Sequence, residues 1–205
     1  ERPVDDRLIA FMLQEPLSDG GQWNMAVNII RKHGLVPKQV MPESESSSNT
    51  RRMNSILKYK LREGARDLRQ SVNAGSSLDE LRQQKHGLLE GIWRILCIHL
   101  GTPPAEFDWQ WTDKDGEFHR DGMMTPQEFA ARYIDIPIDD YVCLVHDPRE
   151  ENPFGQTYTV QFLGNVVGGA PVVYLNVEMD LIKRTAQTLM EEGTPVWFGR
   201  DVGQQ

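Results

Sequence analysis

The chain holds 205 residues, 39% apolar and 25% charged, with a formal net charge of −8, proportions of a soluble globular protein with one large domain or two small ones. That acidic balance argues against a general phosphate-binding surface, because nucleic-acid affinity rests on Lys and Arg neutralising phosphates. No apolar run approaches the roughly 20 residues that span a bilayer, no signal-peptide pattern opens the sequence, and its two cysteines, Cys97 and Cys143, lie among apolar residues as in a protein of the reducing cytoplasm. The first residue is Glu1 rather than Met, which reads as a processed or excised beginning.

In chain order, the first clear element is a helix over 22–33, where Trp23, Ala26, Val27 and Ile30 recur on one face and Gly34 follows as a stop. Just before it stand two adjacent glycines, Gly20 and Gly21, in the stretch SDGGQWNM. The segment 35–44, punctuated by Pro37 and Pro42, reads as extended chain, and the serine-rich ESESSSNT after it as either a surface loop or a boundary. Met53, Leu57, Leu61, Ala65, Leu68 and Val72 form a helical stripe that Asn73-Ala74-Gly75 stops. A second long helix opens on Ser77-Leu78-Asp79-Glu80, where Ser77 and Glu80 can satisfy two orphan amides reciprocally, and ends at Gly101. The short connection makes the two an antiparallel pair.

The period then changes to two. Phe107, Trp109 and Trp111 alternate with polar residues, Asp113–Gly116 turn the chain, and Phe118 stands on the return strand. Thr125-Pro126-Gln127-Glu128 is a further helix start. The strings YVCLVHD, TYTVQF and PVVYLNV read as strands, 179–192 as a helix closed by Gly193, and PVWFG as a final buried strand. Helices first and mixed elements later predict an α+β fold.

No local catalytic set appears. Cys97 and His99 project about 200° apart around a helix, and Cys143 and His146 fall on opposite faces of a strand. Neither pair supplies a metal site or a nucleophile with its base, so no metal and no cofactor is expected. The serines at 46–48 lack a partner, Asp139-Asp140 and Glu150-Glu151 read as solvated turns, and the basic residues Arg51, Arg52, Lys58, Lys60 and Arg62 as a solvated helix face. Glycines before a helix can cradle an anion, but Asp19 would repel a phosphate. Gly20 and Gly21 either make a tight turn into the helix or expose bare main chain for an extended peptide to pair with.

The string SDGGQWNMAVNIIRKHGLVPKQVMPES, with RPVDDRL, SSSNTRRMN, YTVQFLGNVVGG and PVWFGRDVG, resembles the bleomycin hydrolase and aminopeptidase C family of papain-like cysteine peptidases over essentially the whole chain. The resemblance implies a partial papain-like fold with a helical and β-hairpin insertion. It assigns residues 1–45 to the helical lobe, 46–156 to an insertion associated with hexamer assembly, and 157–205 to the start of the barrel-like lobe. It also makes Asp19, Gly20 and Gly21 a subsite where a substrate peptide lies as an added strand. The family's chemistry uses a Cys thiolate, a His that activates it and an Asn that orients the His. The sequence contexts of the cysteine and the asparagine, a tryptophan after the cysteine and Asn-Ser-Trp, do not occur here. The resemblance therefore implies the middle of a cytoplasmic thiol aminopeptidase that hydrolyses peptides from the N-terminus, this chain alone being inactive. One departure is Arg200, where the family usually has cysteine.

The alternative is a catalytically dead assembly or peptide-binding module. A nucleic-acid binder is a third reading, disfavoured by the net charge, and its signature would be affinity falling steeply with salt.

Overall fold

The structure is a computed structural model that describes residues 3, 6–18 and 20–199. In chain order the elements are α1 (Arg7–Met12), α2 (Trp23–His33), α3 (Glu45–Ser48), α4 (Arg51–Asn73), α5 (Leu78–Leu100), β1 (Phe107–Thr112), β2 (Phe118–Met124), α6 (Pro126–Tyr133), β3 (Cys143–Val145), β4 (Thr157–Tyr158), β5 (Tyr174–Asn176) and α7 (Met179–Glu191). They fall into two units, one of residues 1–21 and 33–133, the other of 22–32 and 134–205. The α+β class expected from the sequence is the class observed. No helix among the described residues is long and apolar enough to cross a membrane.

The first unit is the helix-rich one. Both expected capping boxes are formed. Ser77 Oγ accepts from the Glu80 amide while Glu80 accepts from the Ser77 amide, and Thr125 and Glu128 do the same for α6. The α4 stripe is buried at Met53 and Leu57 and grows more exposed toward Val72. Gly64 lets α5 approach α4 closely, since a Cβ there would stand 2.2 Å from Leu88 Cδ2. The hairpin β1–β2 is antiparallel, with a register shift between Trp109 and Gln110. Its buried face sets Phe107, Trp109 and Met124 against Val36, Val40, Trp111 and Phe129, each filled aromatic or aliphatic site contributing about 1.5–3 kcal/mol. Gly34, at φ 74°, ends α2 where no side chain fits, because a Cβ would lie 2.1 Å from the Pro126 carbonyl carbon. The Leu35 amide donates to that same Pro126 carbonyl.

Two expectations in this unit change. Residues 38–40 form a turn rather than extended chain, the Val40 and Met41 amides both donating to the Pro37 carbonyl. The serine-rich stretch contains the short helix α3, because Ser44 and Ser47 build a reciprocal cap between themselves.

The second unit carries a three-stranded sheet in the order β3-β5-β4, β3 parallel and β4 antiparallel to β5. Val172 and Val177 are buried in it, as is Val27 of α2. The three strands are shorter than their apolar strings because ladder pairing reaches only Cys143–Val145, Thr157–Tyr158 and Tyr174–Asn176. PVWFG is corrected outright. Residues 195–199 form no strand, and Trp197 and Phe198 are 77% and 86% exposed. An apolar run becomes a strand only where a neighbour accepts its hydrogen bonds, and Trp197 instead meets Trp23 edge-on at 5.2 Å.

Candidate functional site

The approach to Gly20 begins at α1, which Asp6 caps by accepting from the amides of Leu8 and Ile9 at 2.7 and 3.4 Å. The chain leaves the helix through Leu13 and Gln14, and residues 15–18, 20 and 21 have no regular structure. Two side chains of α4, four residues apart and so on one helix face, reach across to it. Arg62 donates from Nε to the Leu13 carbonyl at 2.9 Å and from Nη2 to the Gln14 carbonyl. Lys58 forms an ion pair with Glu15. These two residues, read from sequence as part of a solvated basic face, are thus engaged in tertiary contact.

Gly20 and Gly21 are both exposed. The Gly20 amide donates to Ser18 Oγ at 3.2 Å, and a Cβ on Gly20 would meet only that hydroxyl, at an ordinary 3.5 Å. A Cβ on Gly21 would meet nothing within 4 Å, and Gly21 is not in the left-handed region. Neither packing against the described residues nor backbone conformation therefore requires glycine at 21. Beside Gly20 opens a groove of about 730 Å³, lined by Glu15, Ser18, Gly20, Asn49, Asn54 and Lys58 among others. Asp19 lies outside the described residues, as does Arg200.

Cys143 stands in surroundings that disfavour its thiolate. Cys143 Sγ donates to Asn24 Oδ1 at 3.7 Å. Burial pushes its thiol up from the usual value, outweighing the opposite effect of the Trp23 and Asn24 amides. A nucleophilic cysteine needs the reverse, a thiolate favoured by nearby positive charge. His146 donates from Nδ1 to the Val177 carbonyl at 3.0 Å and stacks on Phe154. Cys97 is half-buried on α5, while the His99 ring lies 2.7 Å from Ser46 Oγ. Among the described residues no hydrogen bond joins a cysteine to a histidine. Of the acidic pairs, Asp139 meets Arg31 in an exposed ion pair.

Two buried asparagines escaped the sequence reading. Asn176 is fully buried, donates from Nδ2 to the carbonyls of Asp147 and Asn152 at 2.9 and 2.7 Å, and accepts from the Asp147 amide at 2.8 Å. Asn28 presents its amide to Ala170 as a second backbone would, donating to the carbonyl at 2.8 Å and accepting from the amide at 3.0 Å. The signal for Asn176 was available: a polar residue on the apolar string PVVYLNV must find partners if the string is buried.

Taken together, the molecule is an α+β chain that offers uncovered main chain beside a polar groove, and no hydrogen bond among its described residues joins a thiol to an imidazole. A profile of the Peptidase C1-like family matches residues 1–205, and the chain belongs to that family. Bleomycin hydrolase of Gallus gallus is 43% identical over 206 residues, covering 100% of this chain and 45% of the relative. Aminopeptidase C of Listeria innocua is 42% identical over 200 residues, covering 98% of this chain and 45% of the relative. The crystal structure of PepW from Lactobacillus rhamnosis HN001 matches with a TM-score of 0.92 at 42% identity, covering 99% of this chain and 46% of that one. The chain thus spans a little under half the length of the relatives it matches.

Proposed function

We propose that this chain is the substrate-binding middle of a cytoplasmic thiol aminopeptidase of the bleomycin hydrolase type, which hydrolyses peptide bonds from the N-terminus. The observation that carries the proposal is the likeness of the whole chain, at 42–43% identity, to proteins named bleomycin hydrolase and aminopeptidase C. In this reading Gly20 and Gly21, with Asp19 beside them, pair with substrate main chain, and the open space at the Gly21 Cβ position is what a docking backbone needs. The nucleophilic Cys, its His and the orienting Asn lie in sequence outside residues 1–205. The raised Cys143 thiol and the separate engagements of His99 and His146 support that division.

The intact protein assembles as a homo-oligomer, a hexamer by likeness to the family, through the α4–α5 pair. Ile56 and Tyr59 on α4 and Leu89 and Trp93 on α5 support this, being large apolar side chains between 37% and 69% exposed. The test is an assay on aminoacyl-coumarin substrates. The full-length protein is expected to release the coumarin and to lose activity on thiol alkylation, while residues 1–205 alone turn nothing over. Alkylator-sensitive turnover by the 205-residue chain would overturn the assignment.

A further inference from the structure

Resting on the reading that Gly20 and Gly21 bind peptide main chain, we infer that Arg62, seconded by Lys58, is the positioning residue of that binding backbone. Among the described residues, no backbone–backbone hydrogen bond involves residues 15–18, 20 or 21. Apart from the half-burial of Pro16 and Leu17 and the Gly20 amide bond to Ser18 Oγ, such a segment depends on side-chain anchors for its place. Here the anchors come from one face of α4. The Arg62 fork takes two consecutive carbonyls, those of Leu13 and Gln14, and Lys58 takes the Glu15 carboxylate one residue further on.

The geometry distinguishes the two cations. A planar guanidinium can satisfy adjacent carbonyls at once, whereas an ammonium on a flexible stem offers a single point charge. Arg62 thus fixes both position and direction where the chain departs α1, six residues before Gly20, and Lys58 adds a tether at the edge of the groove. Among the described residues neither side chain hydrogen-bonds to the glycines, so their effect on a bound peptide passes through the segment they hold. Since the reacting groups lie elsewhere, loss of the anchor should weaken substrate binding and leave the chemical step alone.

The experiment uses the full-length protein with an aminoacyl-coumarin substrate, together with hydrogen exchange at the Leu13 and Gln14 amides, which donate to the Ile9 and Phe11 carbonyls. Arg62→Ala is expected to raise KM roughly tenfold, with kcat held within about twofold and exchange at Leu13 and Gln14 accelerated, the size expected for lost charge-assisted hydrogen bonds. Arg62→Lys should recover only part of KM. Unchanged KM and exchange in Arg62→Ala overturn the positioning role, as does full recovery by Arg62→Lys. If Arg62→Ala does not fold, Arg62→Lys decides alone: KM raised several-fold supports the role and a wild-type KM sinks it. Gly21→Val separates the two levels. A raised KM in Gly21→Val beside a normal one in Arg62→Ala removes the positioning role alone, and normal values in both remove the peptide-binding reading as well.

Discussion

Each unit of the molecule carries a pair of adjacent glycines, and the pairs are set among their neighbours in opposite ways. Gly168–Gly169, in the sheet-bearing unit, is answered from inside the chain. Gly168 stands at φ 78°, and a Cβ on Gly169 would lie 2.9 Å from both Cγ and Nδ2 of Asn28. That amide is itself committed to Ala170 through two hydrogen bonds and cannot step aside without losing them. Gly20–Gly21, in the helix-rich unit, meets no such obstacle, its nearest neighbour being the Ser18 hydroxyl at 3.5 Å from a Gly20 Cβ. A glycine whose absent side chain would collide with its own chain is explained by folding. One whose absent side chain would face open space, as at Gly21, is left unexplained by packing among the described residues, and in the proposed reading an approaching peptide is the reason for it.

The comparison is most directly broken by adding the missing carbon. Gly169→Ala should destabilise the protein by about 2 kcal/mol, the usual cost of overpacking against a hydrogen-bonded neighbour. A urea denaturation curve measures it, and a loss below about 0.5 kcal/mol would show that Asn28 yields freely. Gly21→Ala, in the same assay, should stay within about 0.5 kcal/mol of the parent. Its larger analogue Gly21→Val should instead raise the full-length protein's KM for an aminoacyl-coumarin substrate about tenfold, near 1.4 kcal/mol. Large stability losses at both positions would erase the distinction.

A double-mutant cycle sharpens the claim about Asn28. Asn28→Ala alone removes two hydrogen bonds and leaves the Ala170 groups without their partner. In its presence Gly169→Ala finds room, so the two costs should fall short of additivity by about 1 kcal/mol. Strict additivity would mean that the steric conflict at Gly169 lies with something other than the asparagine.

What could be read from the sequence divides along the same line of local against distant cause. The long helices, the hairpin and both capping boxes were legible, because Met53 to Val72, Ser77 with Glu80, and Phe107 to Trp111 carry their instructions within a few residues. Helix α1 was not: six residues give periodicity little to work on, and its cap is the single carboxylate of Asp6. PVWFG was misread since apolar content alone does not tell whether a neighbouring strand exists. The glycine pair at 20–21 stood out in the sequence, whereas the anchors beside it did not. Lys58 and Arg62 lie 43 to 49 residues from their partners and look, in one dimension, like any other charges on a helix. Nor could the sequence tell that Gly169 sits against Asn28, 141 positions earlier.

The smallest expected effect concerns the loop that follows β3. Asp147 accepts from Arg149 and Asn152, while its backbone groups are gripped by Asn176. The Arg149 guanidinium, helped by the Asn152 amide, holds the Asp147 carboxyl well below the usual aspartate range despite partial desolvation. A carboxyl whose folded-state pKa is depressed stabilises the fold above its unfolded pKa, and that contribution drains away as pH falls from about 4 through the folded value. Arg149 is 69% exposed, so solvent screening keeps the effect modest. Amide chemical shifts of residues 147–155 should therefore move on acidification below the ordinary carboxylate range, and Asp147→Asn should remove that movement while the buried Asn176 bonds keep the loop in place. If Asp147→Asn titrates like the parent, the acid response belongs to another group, and the loop is held by Asn176 alone.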